Sequence, residues 1–449
     1  MEPGEIDNRA VPPLAGVCSY AEAARAGLSV DETVVRLKRY NHVLRRLHEI
    51  GAAHLPSVPE WEVKCALSLH LWLDAEHAAV IRVRIAEMRE PPLHLDAVPD
   101  ERLNAAFEEV IRASDTVEFV AGAYAEARSA LVDALRDHLD ALNPLFDYPT
   151  CRNLRAILRE QEQMLEWGMA AYRALTADDH ARDSAAAFRS HVRAYLVGAG
   201  GISGVNAIPA DELPPPRWDG ASYEMDVHPR RDDRFPDSFN ATAKVDDYYQ
   251  DETLPADERT WALAYKRLRE MDVPEWIAPI LYKTRGKPWE YYRELSRQLW
   301  DEARHAMMGE VSLVSLGIPF YAYPIDMAGS VSLNDEFTPL ESHVILWHVE
   351  QGLMPSATGK PYEWRVAREY GDPFFLSLQD YDWADEVLHA QIGRRWLSAE
   401  YGQRRELKRH GDELMERWGE RLAAYAERST GREWWPEFVE RARRARRAA

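Results

Sequence analysis

The sequence predicts an all-α protein: two four-helix bundles in tandem, the first degenerate, joined by a long irregular linker. Three observations carry this. Apolar residues recur at spacings of three and four through long stretches rich in Ala, Leu, Glu and Arg. Strand-like alternation of apolar and polar residues is nearly absent. The periodic segments also fall into two sets whose motifs line up, as a duplicated unit requires.

The first set covers residues 31–54, 59–88, 101–142 and 149–175, continuing to about 197. The second covers 256–283, 288–317, 338–353 and 373–401, followed by a tail of 405–428 and 433 onward. Between them, residues 198–254 contain Gly198-Ala199-Gly200-Gly201, Pro214-Pro215-Pro216 and the polar run from Pro229 to Phe235. These divisions give a helical domain over 1–197, an extended linker over 198–254 and a second helical domain with C-terminal helices over 255–449. A linker of this length is expected to wrap the surface or cover a site.

The second helices of the two sets align, Leu71-Trp72-Leu73-Asp74-Ala75-Glu76-His77-Ala78 with Leu299-Trp300-Asp301-Glu302-Ala303-Arg304-His305-Ala306. Each fourth helix opens with a proline, Pro149 or Pro373, and carries a glutamate 13 residues on, Glu162 or Glu386.

With 449 residues, 46% of them hydrophobic, the chain can bury a sizeable core. Its 75 acidic against 55 basic residues leave a net charge of −20, which counts against nucleic acid and anionic membrane as partners. The arginine run Arg441, Arg443, Arg444, Arg446 and Arg447 reads as a solvated helix end. Three scattered cysteines, Cys18, Cys65 and Cys151, fit reduced thiols in a cytosol. The N-terminus lacks the pattern of a signal peptide, and no window reaches the roughly 18 apolar residues of a membrane span, so a cytoplasmic location is expected.

Three pairs place an acid three residues before a histidine: Asp74/His77, Glu302/His305 and Glu386/His389. Since 15×75/449 predicts about 2.5 such pairs by chance, the count alone decides nothing. Context decides more. In the second set an aspartate directly precedes the glutamate, in Asp301-Glu302-Ala303-Arg304-His305 and in Asp385-Glu386-Val387-Leu388-His389. Both pairs lie on apolar stripes, through Leu295, Leu299 and Leu313 in one helix and through Phe375, Leu378, Asp382 and Ile392 in the other. Unpaired carboxylates there would be costly, and two facing helices can present two Glu and two His to a pair of metal ions. The preceding aspartates would orient the imidazoles.

Such a site needs a carboxylate from each of the other two helices. Reflecting Glu302 through Gly286 of the intervening turn gives 2×286−302 = 270, hence Glu270. Glu275 is the rival, because Pro274 can kink the helix and because Glu275 matches Glu49, each 18 residues after an Asp-Glu pair. In the third helix Glu350 lies mid-core, whereas Glu341 reads as a first-turn charge.

The segments Asp301 to His305, Glu350-Gln351-Gly352-Leu353-Met354-Pro355, Gly371-Asp372, and Asp385 to His389 with Trp396 resemble the ferritin-like di-iron carboxylate superfamily. The likeness runs from Ala256 to Tyr401 and is nearest to the tRNA-hydroxylase-like bacterial branch; the Asp-Glu-x-Arg-His pattern is also that of di-iron monooxygenases and acyl-carrier desaturases. It implies a bundle whose two irons are bridged by carboxylates and activate dioxygen, with Glu302, His305, Glu350, Glu386, His389 and Glu270 as ligands. Manganese or a mixed iron–manganese pair suits the same donors.

The expected function is an O2-dependent oxygenase or oxidase acting on a small organic metabolite, with electrons from a reductase or ferredoxin; a homodimer is compatible with it. A ferroxidase, metal-storage or stress-related metal-binding protein without organic substrate is the alternative. Acidic charge counts against tRNA as substrate. The first copy keeps Asp74, His77 and Glu162 but has Leu165 in place of His389, so it is expected to be degenerate and metal-free, with Glu118 and Glu126 as unremarkable third-helix acids.

Overall fold

The computed structural model describes residues 9, 11–89, 93–208, 212–243 and 245–448. It is all-helical, with no strand among the described residues, and no described helix is long and apolar enough to cross a membrane. The chain divides into two compact units, one of residues up to Ile50 with Leu73–Glu224, the other of Gly51–Trp72 with Met225–Ala449.

The first unit holds most of α1 (Val30–His54), the C-terminal half of α2 (Trp61–Glu87), α3 (Glu101–Val110), α4 (Thr116–Val120), α5 (Ser129–Ala141), α6 (Tyr148–Leu175) and α7 (Asp179–Gly198). Aspartates set several starts: the carboxylates of Asp100, Asp115, Asp147 and Asp178 accept from the backbone N–H groups of the first turns of α3, α4, α6 and α7. The cap at Asp115 divides the stretch 101–142, which the periodicity alone reads as one element. From α4 the chain continues into α5 through a π-helical segment, Ala121–Arg128, whose residues are all buried.

The second unit contains α8 (Ala256–Leu268), α9 (Asp272–Lys283), α10 (Trp289–Ser315), α11 (Ala328–Glu336), α12 (Pro339–Gly352), α13 (Lys360–Tyr370), α14 (Pro373–Tyr401), α15 (Arg404–Ala426) and α16 (Trp435–Ala448). Helices α8 and α9 pack along α10, α10 along α14, α14 along α12, and α12 along α9, enclosing a shared interior. Helices α11 and α13 are additions to the elements anticipated from periodicity, and α13 packs on both α8 and α14. Glu341 closes a capping box with Thr338 at the start of α12, in keeping with its reading as a first-turn charge.

Residues 212–243, which form no helix, are tied down by charge. Within the first unit Arg217 pairs with Glu118 at 2.7 Å, while the backbone N–H groups of Arg217 and Trp218 donate to Glu109. Within the second, Arg234 pairs with Glu62 at 2.7 Å. The C-terminal arginines are more engaged than a solvated end: Arg443 bonds Glu258 at 2.6 and 2.7 Å, and Arg446 bonds Asp257 at 2.8 Å. They dock α16 beside α8, where Trp434, Trp435 and Phe438 gather round Tyr265, the Tyr265–Trp434 ring centroids 4.9 Å apart.

One glycine sets how closely α10 approaches α8. A Cβ on Gly309 would lie 2.3 Å from the backbone nitrogen of Leu268. Backbone cannot yield as a side-chain end can, so Gly309→Ala should destabilise by about 3 kcal/mol. Gly419→Ala, in α15 with nothing within 4 Å, should hold or slightly raise stability. Equal melting temperatures for the two variants would contradict this packing.

In the first unit His138 is fully buried beside Tyr40, at 5.5 Å between ring centroids, and neither ring nitrogen has a hydrogen-bond partner. Burial first, and Arg36 second, push its imidazole down from 6.5 to about 4. As pH falls the unfolded chain takes up this proton before the folded one, so the stability present above about 6.5 is lost towards pH 4. The advantage of His138→Phe in unfolding free energy should therefore grow by about 2 kcal/mol between pH 7 and pH 5. A pH-independent difference in chemical denaturation would refute it.

Candidate metal centre

Inside the second unit two groups of acids and histidines converge. Glu270, His305, Asp382 and Glu386 form one, Glu302, Glu350, Glu386 and His389 the other; in each, one ligand atom per residue lies within 4.8 Å of the rest. Glu386 belongs to both. All are buried except Glu270, whose side chain is 15% exposed.

Helix geometry explains the convergence. Glu302 and His305 on α10, and Asp382, Glu386 and His389 on α14, are spaced by three or four residues and so share one face of each helix. Glu350 comes from the last turn of α12. Glu270 sits in a single 3-10 turn, Arg269–Met271, which joins α8 to α9. Pro274 has no N–H to give the carbonyl of residue 270, and the path tightens there.

The two imidazoles are oriented alike. His305 Nδ1 is 3.4 Å from Glu270 Oε2, 3.6 Å from Asp382 Oδ1 and 3.7 Å from Glu302 Oε2. His389 Nδ1 is 3.1 Å from Glu302 Oε1, 3.4 Å from Glu386 Oε2 and 3.9 Å from Glu350 Oε1. The opposite nitrogens reach across to the other motif: His305 Nε2 is 3.2 Å from Asp385 Oδ2, and His389 Nε2 is 3.4 Å from Asp301 Oδ2. Each aspartate thus orients the histidine of the partner helix. Arg304 ties the two aspartates together, its Nη2 donating to Asp301 at 2.7 Å and to Asp385 at 2.6 Å.

Electrostatics follow from crowding acids in a dry interior. Burial, Glu386 and Glu302 drive the Glu350 carboxyl well above its usual value, with Gln298 Nε2 donating to it at 2.9 Å. Burial also works against the charge on Glu386, yet Lys360 and its bonded neighbours hold it well below. Although burial opposes their protonation, the surrounding carboxylates hold both His305 and His389 well above the ordinary imidazole range. Asp301 is kept down at about 2 against its burial by His389, Arg304 and Arg297.

The donors fit a pair of metal ions. His305 Nδ1, His389 Nδ1, Glu270 Oε2 and Glu386 Oε2 are buried without a hydrogen-bond partner, and all four belong to the converging groups. Such orphaned atoms are costly unless something binds them. Carboxylate oxygens with one imidazole per position suit iron or manganese.

Every residue singled out from the sequence as a ligand lies in these groups: Glu270, Glu302, His305, Glu350, Glu386 and His389. The rival Glu275 does not. It is fully buried elsewhere, where Lys64 and Arg231 both donate to its Oε1. Four residues were missed. Asp382 stood on the predicted stripe one turn before Glu386, so its position was the available signal. Lys360, Arg267 and Glu363, all fully buried, carried no signal.

In the first unit the matching residues differ from the alignment. Glu162 lies at the surface, 41% exposed and paired with Arg136 at 2.6 Å, so the 13-residue spacing misplaces it by one position. Its neighbour Gln161 is buried instead, its Nε2 bonding Asp74 at 2.8 Å and His77 at 3.0 Å. Arg128 fills the centre, donating to both Asp74 oxygens at 3.0 and 2.8 Å. Glu118 pairs with Arg217, and Glu126 with Arg189 and Arg193.

The geometry separates the two first-helix glutamates experimentally. Glu270→Gln should weaken iron binding at one position with little change in metal-free stability. Glu275→Gln should keep the iron stoichiometry but lose roughly 3 kcal/mol, because Lys64 and Arg231 lose a buried counter-charge. Iron titration and denaturant unfolding check both, and loss of iron in Glu275→Gln alone would reverse the assignment. No protein-family model, curated protein or solved structure matches the chain.

Proposed function

We propose that the chain is a non-heme di-metal oxidoreductase whose second unit is a ferritin-like four-helix bundle, α8 with α9, α10, α12 and α14, and whose first unit is a degenerate copy of it. The single observation that carries the reading is the pair of four-residue donor sets sharing Glu386, with both imidazole Nδ1 atoms turned inward and unbonded. Bound there, two irons, or manganese in place of one or both, would supply activation of dioxygen for oxidation of a small organic metabolite.

The residues have separable tasks. Glu302 lies within 3.7 Å of both imidazole Nδ1 atoms and Glu386 belongs to both donor sets; with Glu270, Asp382 and Glu350 they would hold the metals. Asp385 and Asp301 accept from Nε2 and so hold the Nδ1 lone pairs on the cavity side. Gln298 fixes Glu350. Near-complete burial of the donors limits water, which protects reactive oxygen chemistry from leakage. Electrons would come from a reductase or ferredoxin.

Glu302→Ala and His389→Ala should each abolish binding of at least one metal while helix content measured by circular dichroism stays largely intact. His77→Ala should leave the metal count unchanged. Anaerobically prepared protein should carry two irons per chain and show an optical change on exposure to dioxygen. Full metal content in both centre variants would overturn the reading, and iron accumulating far beyond two per chain would favour a storage function.

A further inference from the structure

Lys360 enters this centre from α13. Its ammonium is fully buried, 2.7 Å from Glu386 Oε1, 2.8 and 3.0 Å from the two oxygens of Asp382, and 3.8 Å from Glu270 Oε1. It therefore touches three of the four residues of the position around His305. The position around His389 is different. There Glu350 is bonded by the neutral amide of Gln298, and Glu386 presents its other oxygen, Oε2, which no hydrogen bond uses.

We propose that Lys360 is an internal cation competing with the metal around His305, so that the position of Glu302, Glu350, Glu386 and His389 fills first and the position of Glu270, His305, Asp382 and Glu386 fills only as Lys360 withdraws. This rests on the di-metal reading given above.

Charge balance supports the displacement. Glu270, Glu302, Glu350, Asp382 and Glu386 carry five negative charges when ionised. Two divalent ions and Arg267, which bonds Glu270 at 3.0 Å and also Asp382, supply five positive ones. Glu363 is matched by Lys266 at 2.5 Å. With both metals bound, the Lys360 ammonium is then a surplus charge inside a dry interior, which is costly. With neither bound, it is one of the few cations keeping the five acids together.

The side chain is able to move. Lys360 opens α13, its backbone N–H donating to Leu353 O at 2.9 Å outside any helical ladder, and its four-carbon stem is flexible. Arg267, inside α8 and bonded to Glu270, Asp382 and Glu363 together, is fixed by comparison.

Titration of the metal-free full-length protein with Mn2+ at one fixed pH, read by electron paramagnetic resonance of the free ion, tests this. Wild type should bind a first equivalent tightly and a second about ten- to a hundredfold more weakly. In Lys360→Met the two affinities should converge, whereas Lys360→Arg, which keeps the charge, should preserve the gap. If Lys360→Met folds only with metal, stepwise chelation of the Mn-loaded variant gives the same comparison. Two equally tight equivalents in wild type, or an unchanged gap in Lys360→Met, would overturn the role of Lys360 and leave the metal centre standing. No Mn2+ bound by any of the three proteins would instead overturn the centre itself.

Discussion

Mutual repulsion among buried carboxylates is the constraint on which the second unit depends. Glu302, Glu350, Asp382 and Glu386 are each no more than 3% exposed, and Glu270 closes the group. Isolated acids in such a place would cost several kcal/mol apiece. The chain answers with cations drawn from four helices: His305 and His389 from α10 and α14, Arg267 from α8, and Lys360 from α13. The burden is shared unequally. Glu386, next to Lys360, stays ionised far below the usual range, while Glu350, next to a neutral amide, is pushed far above it. A divalent ion at either imidazole Nδ1 would take the place of that ring's proton among the same acids.

That electrostatic demand fixes how the helices meet. Asp301 and Asp385 each reach the histidine of the other helix, and Arg304 bonds both aspartates, so α10 and α14 are held in register by one network. Close backbone approach completes it, since Gly309 admits α8 and a Cβ on Gly393 would meet Trp347 at 2.7 Å. The Arg of the Asp-Glu-x-Arg-His segment thus has a mechanical part: it braces the orienting acids and touches no donor atom facing the cavity.

The first unit pairs its aligned acid with neighbouring side chains. At the position aligned with Glu302, the buried Asp74 receives the Arg128 guanidinium and the Gln161 amide, and His77 leans on Glu160 at 2.6 Å. One carboxylate faces one guanidinium there, where the second unit gathers five acids.

Much of the centre was legible in the sequence because helical periodicity is local. Spacing of three between Glu302 and His305, and between Glu386 and His389, is enough to put each pair on one apolar face, and height-matching through the turn at Gly286 reaches Glu270. The all-helical class follows from the same local rule. Tertiary structure decided what depends on contacts distant in sequence. Lys360 and Arg267 meet Asp382 from positions 22 and 115 residues away, and no spacing rule links them. Register in the first unit was also beyond reach, because Glu162 and Gln161 differ by one position, a rotation of about 100° that only packing against α2 and Arg128 resolves. Sequence alone determined which residues share a helix face; the packed structure decided which charges those faces confront, because burial and long-range pairing, unlike periodicity, are properties of the whole fold.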